Sequence, residues 1–180
     1  MENFLNKEKV LKVIDRIEGT LISDLISLKS ISEELYNNDL LSKKLPGGIN
    51  FTLFLTGLVA CETLGYFLNK SSSEGDTKKN IEYFLSSAYF NSPELNKKHY
   101  KEALVSLRTN LAHVYGMTDL RMNEIDKELI LCVGSTEKSV VMSYKNTVKL
   151  NGLKFIELIL NAFESIKTDI LKGKDIIRHC

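Results

Sequence analysis

Arg108 and His113 stand five positions apart in the stretch SLRTNLAHVYG, residues 106–116, with Tyr115 two positions further on. A histidine titrating near neutrality can carry protons, and an arginine can grip a phosphate through its flat fork of donors. Together they could cleave RNA without a metal. His113 would act as base on a 2′-hydroxyl or as acid on the leaving oxygen, while Arg108 offsets the charge building on phosphorus. Five helical steps rotate about 140°, so the two side chains diverge on one helix. Two copies of the helix meeting at a twofold axis would bring both pairs into one cleft, so this chemistry requires a homodimer. The competing explanation is plain: such a spacing also arises by chance, and a histidine at a helix end favours the negative pole of the dipole.

Other groups could join or surround that site. Glu62 is the one acidic residue in the apolar run FTLFLTGLVACETLGYFL, residues 51–68. It either faces a partner cation such as Arg108 or His113 and fixes the geometry, or lies on a narrow strip facing water. Thr109, Asn110 and Tyr115 stand beside the pair in the same stretch. The cluster NKKHYK, residues 96–101, could hold RNA phosphates through Lys97, Lys98 and Lys101 while Tyr100 stacks a base; a solvated helix start explains the same residues. His99 belongs to that cluster, and Arg178-His179 to a frayed end. Leu45-Pro46-Gly47-Gly48 has no following Lys-Ser/Thr and is no phosphate loop. Cys61, Cys132 and Cys180 lack metal or redox spacing, so no metal and no cofactor is expected, and Cys61 and Cys132 read as inert core thiols. Gly57 and Gly65 read as points of close helix packing.

The chain has 180 residues, 43% hydrophobic and 26% charged, with a formal net charge of +1. That size fits one domain, here taken as residues 1–180, with a core large enough to need no disulfide. So small a net charge supplies no protein-wide attraction for nucleic acid, DNA least of all, and any polyanion must be held locally. Only 4 of the 24 cationic residues are arginine, which makes each arginine informative where a planar fork is needed. No charged and apolar leader opens the sequence, so a cytoplasmic location is expected. Residues 51–68 are apolar enough to suggest a membrane span, but Glu62 and several threonines favour a helix buried within the protein.

These residues need elements to position them. Val10, Ile14, Ile17, Leu21, Leu25 and Leu28 recur at helical spacing and predict a first helix from about Asn3 to Lys29. Residues 31–48 are less periodic and predict a short helix or turns. Asn50 is expected to cap the apolar helix of residues 51–69, and SSSEGD, 71–76, is a polar loop. A helix over Thr77–Phe90 would turn Ile81, Phe84, Leu85 and Ala88 inward. Ser92 and Pro93 then open a helix ending at Gly116, with Leu104, Leu107 and Leu111 on its buried stripe. The runs ELILCV, 128–133, and KSVVMSY, 138–144, predict a β-hairpin across Gly134–Glu137, an insertion of about 127–150. A last helix follows Asn151-Gly152, with Ile156, Ile159, Phe163, Ile166 and Ile170 inside. The fold class is mainly α: an up-and-down helical bundle with a β-hairpin before the last helix.

The stretch LRTNLAHVY resembles the signature of the HEPN superfamily, α-helical proteins that include many metal-independent ribonucleases and toxins. Arg108 and His113 match its Arg–x4–His motif, and Tyr115 completes the Arg–x4–His–x–Tyr version of toxins encoded beside nucleotidyltransferase antitoxins. In that branch the tyrosine can be AMPylated by the partner. Members often carry Asn, Asp or His directly after the arginine, where this chain has Thr109. The resemblance covers residues 50–116 and implies a cytoplasmic RNA-cleaving homodimer joined through this helix, serving as a toxin or as an antiphage or stress effector, with a nucleotidyltransferase antitoxin as a possible partner. Two alternatives stay open: a non-catalytic HEPN-like module binding a nucleotide, RNA or a protein, and a structural adaptor in which Arg108 pairs with Glu62 or a chain end.

Overall fold

A computed structural model describes residues 2–38, 49–69, 71, 75–114, 121–122, 125–132 and 139–177. Its elements are α1 (Glu2–Ile17), a π-helical turn (Glu18–Ile22), α2 (Ser23–Asn37), α3 (Asn50–Leu68), α4 (Thr77–Ser86), α5 (Lys98–Val114), β1 (Arg121–Met122), β2 (Lys127–Cys132), β3 (Val141–Ser143), β4 (Thr147–Asn151) and α6 (Gly152–Leu171). The chain is mainly helical.

α3 is the axis of the fold. It touches α2, the π turn, α4, α5, α6 and β2, and its Leu53, Phe54, Leu58, Ala60, Cys61 and Leu64 are buried. Each fully buried Leu or Phe contributes about 1.5–3 kcal/mol, so a helix apolar on nearly every side is stable only when covered on nearly every side. By length and composition α3 is also the one helix, among the described residues, that could cross a membrane.

The helices do not simply alternate in direction. Glu62 meets Thr77 and Gly65 meets Asn80; a constant offset means that α4 runs in the same sense as α3. Likewise Gly152 lies against Leu53, and Ile156 against Gly57, so α6 also follows α3. α5 runs the other way, since Lys101 bonds Ser86 near the end of α4 and Arg108 reaches Glu62 beside its start. The expected up-and-down order is therefore corrected. The connection after α3 is long enough to carry the chain back along the helix, and the sheet does the same before α6.

The predicted hairpin is also corrected. β2 does not pair with the following strand; it runs parallel to β4, Glu128 opposite Thr147 through Cys132 opposite Asn151. β3 pairs antiparallel with β4 on its far side, giving the order β1-β2-β4-β3. The tight turn lies at Lys145-Asn146, closed by the Tyr144 amide donating to the Thr147 carbonyl at 2.8 Å. Gly134–Glu137 lies outside the described residues. Parallel neighbours need a crossover of about a dozen residues, and the segment between β2 and β4, β3 included, provides it.

Smaller departures have local causes. The helical run continues to Asn37; Ser32, fully buried, occupies a core position between Leu28 and Leu35 and so breaks the apolar pattern read from sequence. Asn50 is the first residue of α3 and not its cap; its side-chain oxygen is buried without a partner among the described residues. α4 stops at Ser86, where hydroxyls compete for the backbone: Ser86 donates to the Glu82 carbonyl at 2.7 Å. Ala88 is therefore exposed. In contrast, α6 starts as expected, with the Asn151 side chain accepting from the Lys154 amide at 3.3 Å.

The glycines of α3 set how closely its neighbours approach. A Cβ on Gly65 would sit 1.9 Å from the Asn80 backbone oxygen, whereas one on Gly57 would meet the mobile end of Ile156 at 2.7 Å. Gly65→Ala should therefore lower unfolding free energy in urea by about 3 kcal/mol or more, and Gly57→Ala by about 1 kcal/mol. Equal, small effects would contradict the close α3–α4 seam.

Candidate functional site

Arg108 lies in the middle of α5, and the buried stripe of Leu104, Leu107 and Leu111 turns its neighbours inward. The guanidinium Nε donates to Glu62 Oε2 at 3.2 Å, and both side chains are about one-fifth exposed, 22% and 21%. The other carboxylate oxygen of Glu62 accepts from the Thr77 hydroxyl at 2.5 Å. Among the described residues, Glu62 is the one partner of this guanidinium. Of the two readings of Glu62, the structure selects the partner cation.

Local sequence explains the arrangement. Glu62 is carried by the central helix, so it is held at fixed depth. Thr77 is the first residue of α4, whose cap is Asp76: the side chain accepts from the Lys79 amide at 3.4 Å and pairs with the Lys79 ammonium at 2.6 Å. That ion pair and hydrogen bond hold the Asp76 carboxyl below its usual range. The Glu62 carboxylate thus meets the positive pole of α4 on one side and a guanidinium on the other. Sequence reading did not single out Thr77; a Thr directly after an N-cap Asp was the available signal.

The remaining candidates are dispersed. Thr109 is exposed and its hydroxyl donates back to the Val105 carbonyl at 3.3 Å, a bond within the helix. Asn110 is partly buried on the same helix. The backbone of His113 continues α5, but its side chain and all of Tyr115 lie outside the described residues. In the basic cluster, Lys97 and Lys98 are exposed, and Lys98 faces Glu102 at 3.6 Å. Lys101 donates to Ser86 at 2.9 Å and to Asn96 at 3.2 Å. Lys101 precedes Arg108 by two helical turns, about 10 Å, and shares its face.

Tyr100 is a correction. Its ring is 7% exposed, burial raises its phenol above the usual range, and His99 lies against it with ring centroids 4.2 Å apart. A ring enclosed in this way has no face to offer a base. Cys61 is fully buried, which pushes its thiol up. Cys132 is only partly buried, and its thiol donates to the Leu150 carbonyl at 3.1 Å. Among the described residues no three His, Cys, Asp or Glu side chains converge.

Chemically, the site offers one cation fixed at the edge of the bundle, with a lysine two turns away on the same face. The chain matches no family model, no curated protein and no solved structure.

Breaking the Glu62–Arg108 pair strands one charge in a partly buried setting, tempered by its exposure. A double-mutant cycle of Glu62→Ala and Arg108→Ala should return a coupling energy of about 1–2 kcal/mol in urea unfolding. Thr77→Val should cost about 1 kcal/mol. Additive single effects would show that the pair contributes nothing.

Proposed function

We propose that the chain is a HEPN-type, metal-independent endoribonuclease that acts as a cytoplasmic homodimer joined through α5, in the manner of a toxin or an antiphage or stress effector. The observation that carries this reading is a guanidinium at HEPN-like spacing from His113, held at the bundle edge by a carboxylate of the central helix. A pre-positioned cation is what a phosphate in transit to a crowded transition state requires. The 2′-oxygen of the RNA attacks phosphorus, and the bond to the 5′-oxygen breaks. One histidine accepts the proton from the 2′-hydroxyl, the partner's histidine protonates the departing oxygen, and the paired arginines offset the charge between them. Lys101, and more loosely Lys97 and Lys98, hold flanking phosphates. A nucleotidyltransferase antitoxin remains a candidate partner through Tyr115.

The Glu62 contact also favours a second reading. Arg108 spends its Nε on a carboxylate of its own chain, as a structural arginine would. On that reading the fold is a non-catalytic module, binding RNA, a nucleotide or a protein through the same face, or an adaptor in which the pair only ties α5 to α3.

The readings separate in one assay. Purified protein should degrade single-stranded RNA in excess EDTA, and Arg108→Ala and His113→Ala should each lower the rate by at least about 100-fold while the dimer persists in sedimentation. Cleavage that survives both substitutions would remove the site; a monomer that binds no RNA would leave the adaptor.

A further inference from the structure

A groove of about 410 Å³ opens where the end of α3, the end of α4 and the C-terminal segment after α6 meet. Its walls include Asn69, Tyr83, Ser87, Ala88, Tyr89 and Ile176. The volume lies at the small end of the range for ligand sites, enough for one compact ring system and its substituent. The lining differs in kind from the Arg108 region: among the described lining residues none carries a formal charge. The described walls therefore offer hydrogen-bonding and aromatic surface and no charge.

Two tyrosines shape the slot. Tyr83 is 43% exposed and presents ring surface to solvent. Tyr89 is rigidly held, its hydroxyl donating to Asp169 at 3.1 Å, while Lys174 donates to the same oxygen at 2.9 Å. Small residues, Ser87 and Ala88, keep the space beside the rings open. Polar atoms line its edge. The Asn69 side-chain oxygen accepts from the Ser71 amide at 3.0 Å, and the buried Ser87 hydroxyl has no hydrogen-bond partner among the described residues. Ser87 is a wall residue, so its one rotatable bond is the movement needed to offer that hydroxyl to a ligand.

We propose that this groove is a subsite for a single unpaired nucleobase, stacked on Tyr83 with its polar edge toward Ser87 and Asn69. Aromatic surface for stacking and a polar edge for hydrogen bonds are what single-stranded RNA recognition uses. An aromatic side chain of a peptide would fill the same volume but strip water from the serine and amide groups without replacing their hydrogen bonds. The choice of RNA as the source of the base rests on the ribonuclease reading; the choice of a flat heteroaromatic ligand rests on the groove alone. Leu68 in its wall lies six residues, about 9 Å along α3, from Glu62.

The test is saturation-transfer NMR of the full chain with adenosine, guanosine, cytidine and uridine at millimolar concentration, and with N-acetyltryptophanamide as the peptide control. At least one nucleoside should bind to the wild type. Tyr83→Ala, which removes the stacking face, and Ala88→Leu, which fills the slot at an exposed position, should each weaken it at least about tenfold. Both variants should keep the wild-type circular dichroism, and Arg108→Ala should bind as the wild type does. Failure of every nucleoside to bind the folded wild type, binding unchanged in both groove variants, or binding of the tryptophan amide alone would overturn the proposal. The two readings fail separately: RNA cleavage absent from the wild type or independent of Arg108 removes the Arg108 ribonuclease site and leaves nucleoside binding standing, whereas Arg108-dependent cleavage with silent nucleoside titrations removes only the subsite.

Discussion

One carboxylate on an apolar helix must be satisfied. About half of α3 is buried, and Glu62 is the single acidic side chain along it. An unpaired charge in that setting is expensive, so the fold brings two groups to it: the Thr77 hydroxyl at the start of α4 and the Arg108 guanidinium from the middle of α5. Those two contacts tie three helices, α3, α4 and α5, to one another. They also decide where the arginine points. Whether Arg108 does chemistry or only closes the bundle, its position follows from Glu62.

Helix direction follows from equally few contacts. Gly65 lets α4 lie against α3 backbone to backbone, and Gly57 and Gly152 make room for the side chains that pack α6 against α3, Ile156 and Phe155 on one helix and Leu53 and Phe54 on the other. Both neighbours run with α3, and α5 alone among the three that follow it returns. Because β2 and β4 are parallel, the sheet carries the chain across before α6 begins. The insertion read from sequence as a hairpin is thus part of what sets the direction of the last helix.

Much of this was legible from residue types and spacing, and the exceptions have physical causes. The stripes of α5 and α6 were read residue by residue, because each is amphipathic and faces one core. Glu62 was legible only as a choice between facing a cation and lying on a strip toward water; Arg108, one of the two cations suggested, is found beside it. The hairpin was misread because strand order depends on long-range pairing, and two adjacent β-rich runs look the same whether they pair or flank a third. The end of the first long helix was misplaced because Ser32 hides a core position. Tyr100 was taken for a surface ring because it sits among lysines; its burial against His99 and the sheet is a tertiary fact. The groove at Tyr83 and Ser87 left no local trace, since its walls come from three separate parts of the chain.

The proposal's central claim is that Arg108 and His113, five residues apart on α5, work as half of a two-chain site. The most direct measurement mixes wild-type chain with a chain carrying both Arg108→Ala and His113→Ala, lets protomers exchange, and follows RNA cleavage as the wild-type fraction falls. A shared site loses activity as the square of that fraction, because a mixed dimer lacks half of its machinery. A linear fall, or no cleavage by the wild type, would contradict it.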